Sequence, residues 1–156
     1  MKYSPYVEKC RWRICEAYVA ESPNYYHDQS STHKALQKLQ EFIDEYPDSE
    51  FRDEANKTIK KLRNKLAEKM LETALLYIKL HAYDSAIVAF EDLLGQYYDT
   101  DLAEEAHVGI IRSYSLMKKV EEAENYYKSN EDKISSSALK AKSLDYIKSA
   151  ESDGSK

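Results

Sequence analysis

An all-α chain, built as a short stack of repeated helix pairs, follows from three observations on these 156 residues. Glycine and proline are scarce, three of each, and neither occurs from Asp48 to Leu94, so no run of tight turns fits there. Apolar residues recur with the 3.6-residue period of a helix that buries one stripe. The stretch EYPDSEFRDEA at 45–55 returns at 96–106 as QYYDTDLAEEA. A corner that occurs twice implies a structural unit that occurs twice.

The elements are read in chain order. Ser4-Pro5 supplies a cap and a first-turn proline for helix one, with Val7, Ile14 and Tyr18 as its apolar positions. The following ESPNYYHD, with Pro23, Asn24 and paired tyrosines, reads as an ordered surface loop. In THKALQKLQEFIDEY, Ala35, Leu36, Leu39, Phe42, Ile43 and Tyr46 form one stripe; in DSAIVAFEDLLGQYY, Ala86, Ile87, Phe90, Leu93, Leu94 and Tyr97 repeat it, shifted by 51 positions. A second superposition carries Tyr77 to Tyr114, Ala86 to Ala123 and Phe90 to Tyr127, a shift of 37. Two-helix units with a period in the thirties are the mark of a helical solenoid, and the tetratricopeptide repeat is the specific match. Ala74, Tyr77, Ala86 and Phe90 fit its small and aromatic positions, and Pro47 stands where its closing proline belongs. The alanines let paired helices approach and the aromatics fill the wider gap beside them.

YPDS and YYDT are then the corners between repeats. Pro47 cannot continue a helix, Asp48 or Ser49 can accept orphan N–H bonds of the next one, and Asp101 with Glu104 has the spacing of a capping box. The two shifts differ by 14 residues, which lie in NKTIKKLRNKLAEKMLE. That surplus is about four helical turns, so it lengthens a helix without rotating its apolar side. One elongated helix is expected near residues 50–80, with Ala55, Ile59, Leu62, Leu66, Met70, Ala74 and Tyr77 as a continuous stripe. After Asn130, Ile134, Ala138, Ala141, Leu144 and Ile147 can form a capping helix. The organisation expected is one repeat domain over 1–150, of about three repeats and a capping helix, and a disordered tail over 151–156.

Charge and motif content exclude several classes. A formal net charge of -5 offers no broad attraction to phosphates, so nucleic acid is not an expected partner. No window approaches the roughly 20 apolar residues that cross a bilayer, and MKYSPYVEKC lacks the apolar core of a signal peptide. Cys10 and Cys15 point about 140° apart on a helix and are read as unpaired thiols. His27, His33, His81 and His107 form no i, i+4 pair and are read as surface residues. Glu104-Glu105 and Glu121-Glu122 are read as solvated carboxylates without a pocket. No enzyme, cofactor or metal is expected.

What remains is surface. Lys57, Lys61, Lys65 and Lys69 recur every four residues on the long helix. Like charges at that spacing repel by about 0.2–0.5 kcal/mol per pair, so the row is either a solvated face or a stripe for an acidic partner surface. Most of the fourteen tyrosines fall on the stripes. Tyr25, Tyr26, Tyr98 and Tyr126 fall off them and are candidates for partner contact.

The run DQSSTHKALQKLQEFIDEYPDSE, then LRNKLAEK, then ALLYIKLHAYDSAIVAFEDLL, with YDT closing the next corner, resembles the outer membrane protein assembly factor BamD family over roughly residues 15–127. The DQSST start after a long loop and the elongated helix are its more specific marks. The resemblance implies a periplasmic lipoprotein of five repeats, anchored at the outer membrane by an acylated cysteine, in the machine that inserts β-barrel proteins. Its signal, lipidated cysteine and first repeats are expected outside this chain, and neither Cys10 nor Cys15 sits in a lipidation motif.

The later repeats imply a docking module for the POTRA domains of the barrel subunit BamA, with other assembly lipoproteins and unfolded barrel clients as further partners. A basic residue is implied on the outward face of the helix holding Phe90, where this chain has Ala89, flanked by Ser85, Asp92 and Gln96. An acidic one is implied where Met70 stands. A YbgF-like coordinator of the Tol-Pal system shares the corners but implies two short helices between 50 and 80.

Overall fold

The computed structural model describes residues 4–154. Its helices are α1 (Pro5–Ala20), α2 (Ser30–Glu45), α3 (Arg52–Lys79), α4 (Tyr83–Tyr97), α5 (Ala103–Leu116), α6 (Val120–Asn130) and α7 (Ser137–Gly154), with a 3-10 turn over Glu131–Lys133. No strand occurs among the described residues, and the fold is all-α with tetratricopeptide-like helix pairs. The chain divides into two compact units, the first ending at Leu66 and the second beginning at Ala67, so the division falls inside α3.

The first unit is built around an aromatic core. Ser4 Oγ accepts from Tyr6 N to start α1, with Pro5 in the first turn. Trp12 then packs on Phe42 at 5.4 Å and stacks on Phe51 at 5.2 Å, closing over Ala35, Leu39, Ala55 and Leu62. This corrects the stripe expected on α1 at Val7 and Ile14, while Tyr18 packs against the core as expected. Trp12 and Cys15 are the buried residues, while Val7 and Ile14 are 43 % and 46 % exposed. An indole buries some 150–250 Å² and sets the helix's rotation, which leaves Ile14, two residues on, about 200° round.

In the second unit α5 packs on α4, α6 and α7. Gly109 permits the α4 approach: a Cβ there would stand 2.3 Å from Phe90 Cζ, and Phe90 is fully buried. Beyond it, Val108, Ile111, Ala123, Ile134 and Ile147 form the core against α6 and α7. The repeat is written into the backbone as well. His81 (φ 58) ends α3 and Lys118 (φ 60) ends α5, and the two lie 37 positions apart. At each, the N–H bonds back three residues and the next N–H bonds back five, to Tyr77 O and Tyr114 O, which is a Schellman motif twice.

Other expectations need correction. The buried residues of α3 are Ala55, Leu62, Leu66, Ala67, Leu71, Ala74 and Ile78, so Met70 is half-buried and Tyr77 is 36 % exposed. A 3.6-residue helix drifts against a strict four-residue spacing, and over seven turns the drift moves the covered side. On α7, Ser143, Ile147 and Ala150 are buried, whereas Ala138, Ala141 and Leu144 face solvent. That helix continues through 151–154, which the sequence assigned to a tail; 155 and 156 lie outside the described residues.

The N-cap of α5 is Leu102, which makes no side-chain capping bond. Glu104 instead accepts from Ser135 Oγ and from Ser136 N at 3.1 Å, just before α7, and those bonds hold its carboxyl below the usual range.

Candidate protein-docking groove

The functional candidates fall on two faces. In the first unit, the 21–29 loop carries Tyr25 and Tyr26, ring to edge at 5.5 Å, with Tyr26 64 % exposed. The loop is tied beneath them by Gln29, whose Nε2 donates to Asn24 O (2.7 Å) and His27 O (3.0 Å). Thr32 Oγ1 donates to Gln29 Oε1 at 2.7 Å. Its hydroxyl hydrogen is thereby used, so across the 2.6 Å pair of hydroxyls Ser22 is the donor to Thr32. Lys65 Nζ donates to Ser22 Oγ at 2.9 Å and heads the chain.

The four lysines of the row are not equally exposed. Lys57 and Lys61 are exposed, Lys65 is committed to the loop, and Lys69 belongs to a groove in the second unit.

That groove lies between the C-terminal half of α3 and α4 and holds about 620 Å³. Burial of Ala86, Ile87, Phe90 and Leu93 fixes the rotation of α4 and turns Ser85, Val88, Ala89 and Asp92 toward it. Lys69, Met70, Thr73 and Tyr77 of α3 face them. The structure thus brings Ser85, Ala89, Asp92 and Lys69 of the expected contact set together, while Gln96 is not among the lining residues. Thr73, Tyr77, Asp84 and Val88 were not expected there, and Met70 was expected only as the place of an acidic residue in the family. Val88 is an apolar side chain 56 % exposed beside the buried Ile87.

Two residues read as surface pack inward, one fully and one in part. His107 is buried and its Nδ1 meets the Tyr126 hydroxyl at 2.8 Å, with Tyr114 against the same ring. Tyr126 is therefore partly buried and packs against the core of the second unit. Burial lowers the His107 pKa and raises that of Tyr126, so the imidazole is neutral where the hydroxyl bonds it. Cys15 is buried, with Sγ donating to Lys38 O at 3.3 Å, and Cys10 is exposed; both are free thiols. Among the described residues, no group of three or more His, Cys, Asp or Glu could hold a metal, and no helix is long and apolar enough to cross a membrane.

By sequence, this all-α repeat chain matches a known family model. The pattern of the YfiO family, described as outer membrane lipoprotein, covers residues 3–129. The chain belongs to this family. The YfiO-family chain is also similar to the outer membrane protein assembly factor BamD of Rickettsia prowazekii (strain Madrid E), at 26 % identity over 120 residues. That alignment takes in 72 % of this chain and 48 % of the relative, so the YfiO-family chain spans about half the length of the curated relative it matches. Its α3, unbroken over 28 residues, is not the pair of short helices that a Tol-Pal coordinator would place there.

Proposed function

We propose that this chain is a non-enzymatic docking module for the assembly of outer-membrane β-barrel proteins, working at the periplasmic face of the outer membrane. Its partner in this reading is the POTRA region of BamA, with other assembly lipoproteins and unfolded barrel clients as further partners of the whole protein. The family membership and the name of the relative support the process. The observation that carries docking is the α3–α4 groove, which keeps Val88 and Tyr77 partly in water beside a buried core. Apolar side chains held at a concave surface with a polar rim are what a protein interface uses.

The test is titration calorimetry of the chain with the isolated POTRA region of BamA from the same organism. Saturable binding that Val88→Asn weakens about tenfold or more supports the reading. A flat isotherm at low salt removes BamA as the partner. Binding that Val88→Asn leaves untouched moves the contact to another surface, with the Tyr25–Tyr26 loop and the exposed Lys57 and Lys61 the next to substitute.

A further inference from the structure

We infer that the α3–α4 groove receives an amphipathic helix whose polar edge is basic. This rests on the docking role proposed above for the groove, and adds the chemistry its occupant presents. Helix α4, Tyr83–Tyr97, carries Asp84, Glu91 and Asp92 and no Lys, Arg or His. Asp84 and Asp92 are both exposed and both line the groove, about two turns apart. Val88 stands one turn from each, and Met70 and Tyr77 face it from α3. Lys69 is the cation on the lining, and it has a partner within the protein. An apolar strip edged by two solvent-facing carboxylates suits a segment that lays apolar residues on the strip and Lys or Arg along the edge. Rim charges of that kind select the partner and steer its approach while the strip supplies the burial.

The occupant is a helix because of the walls. Ridges of side chains on α3 and α4 leave a trough into which the ridge of a third helix packs. Both walls have their backbone bonds closed within helices, so neither offers the free edge that an added strand needs.

Two synthetic helical peptides with one shared Leu/Ala face test this, one with a Lys polar edge and one with a Glu edge, titrated by fluorescence anisotropy against the full chain. The Lys peptide is expected to bind about tenfold tighter or more. Asp84→Lys with Asp92→Lys should reverse that order, Ala89→Arg should weaken the Lys peptide, and Val88→Asn should weaken both. Equal affinities, or a preference for Glu, would overturn the inference. So would Lys-peptide binding that Val88→Asn leaves unchanged, since that reports only attraction to a chain of net charge -5.

The two readings fail separately. If the POTRA region does not bind but the peptide preference holds, the partner is wrong and the groove chemistry stands. POTRA binding lost in Val88→Asn but kept in the double lysine variant means the reverse.

Discussion

Phe90 and Gly109 show what a single position decides. The ring fills the space that a methyl on α5 would need, so Gly109→Ala forces α4 and α5 apart or the ring off its rotamer. A loss of about 1–3 kcal/mol is expected in urea unfolding, and an unchanged midpoint would refute the close approach. His107 sets a pH dependence. Its native pKa lies below 6.5, so as pH falls the unfolded chain takes up a proton that the native chain resists. Stability is full above about 6.5 and declines below it. His107→Gln, which still offers the Tyr126 hydroxyl an acceptor, should lose stability less between pH 7 and pH 5; parallel curves would assign the decline elsewhere. The lowered Glu104 carboxyl acts in a separate window, because its contribution is present above the ordinary value of 4.5 and is lost in stronger acid. The burial of His107 was not legible in the sequence. A histidine at an interior helix position looks like any polar residue until the hydroxyl that pairs with it is placed.

Elements were more legible, and unevenly so. The 28-residue α3 could be read because its surplus is close to four turns, which keeps the apolar pattern helical even as its covered side drifts. The rotation of α1 could not, since Val7, Ile14 and Tyr18 fit a stripe as well as Trp12 and Cys15 do, and only the size of the indole breaks the tie. On α7 the period was right and the register wrong, because Ser143 is buried by bonding Leu139 O. The 21–29 loop was foreseen as ordered but without its fastening. Gln29 is 5 % exposed and holds two loop carbonyls, so Gln29→Ala strands them. About 1–3 kcal/mol of local stability should go with it. Hydrogen exchange at 22–29 should speed up while α5 stays protected, and unchanged exchange in the loop would count against Gln29 as its tie.

For the molecule as a whole, the fold class and repeat lay in the sequence because they rest on periodicity, which needs no partner to be seen. The groove was half legible. Ser85, Ala89 and Asp92 were expected through the family resemblance, which marks the outward face of the helix holding Phe90, whereas Met70 and Tyr77 were read as core. Period assigns a side to a residue but not how much of that side a neighbour covers. A basic occupant also gives a whole-molecule prediction. Affinity for the POTRA region should fall as salt rises from about 0.05 to 0.5 M, as rim charges are screened over a Debye length near 10 Å at 0.1 M. Salt-independent affinity would leave the apolar strip alone as the source of binding.

The two helix ends at His81 and Lys118 bear on heat resistance. Each places a β-carbon in the left-handed region, which costs about 1–2 kcal/mol relative to glycine. Against that stand two modest gains, the 2.8 Å bond from His81 Nδ1 to Tyr83 and the exposed 2.7 Å pair from Lys118 to Asp153, a kind of pair worth about 0–1 kcal/mol. Glycine at both corners should therefore raise the melting temperature. A protein engineer would have a more durable scaffold with every residue that lines the groove unchanged.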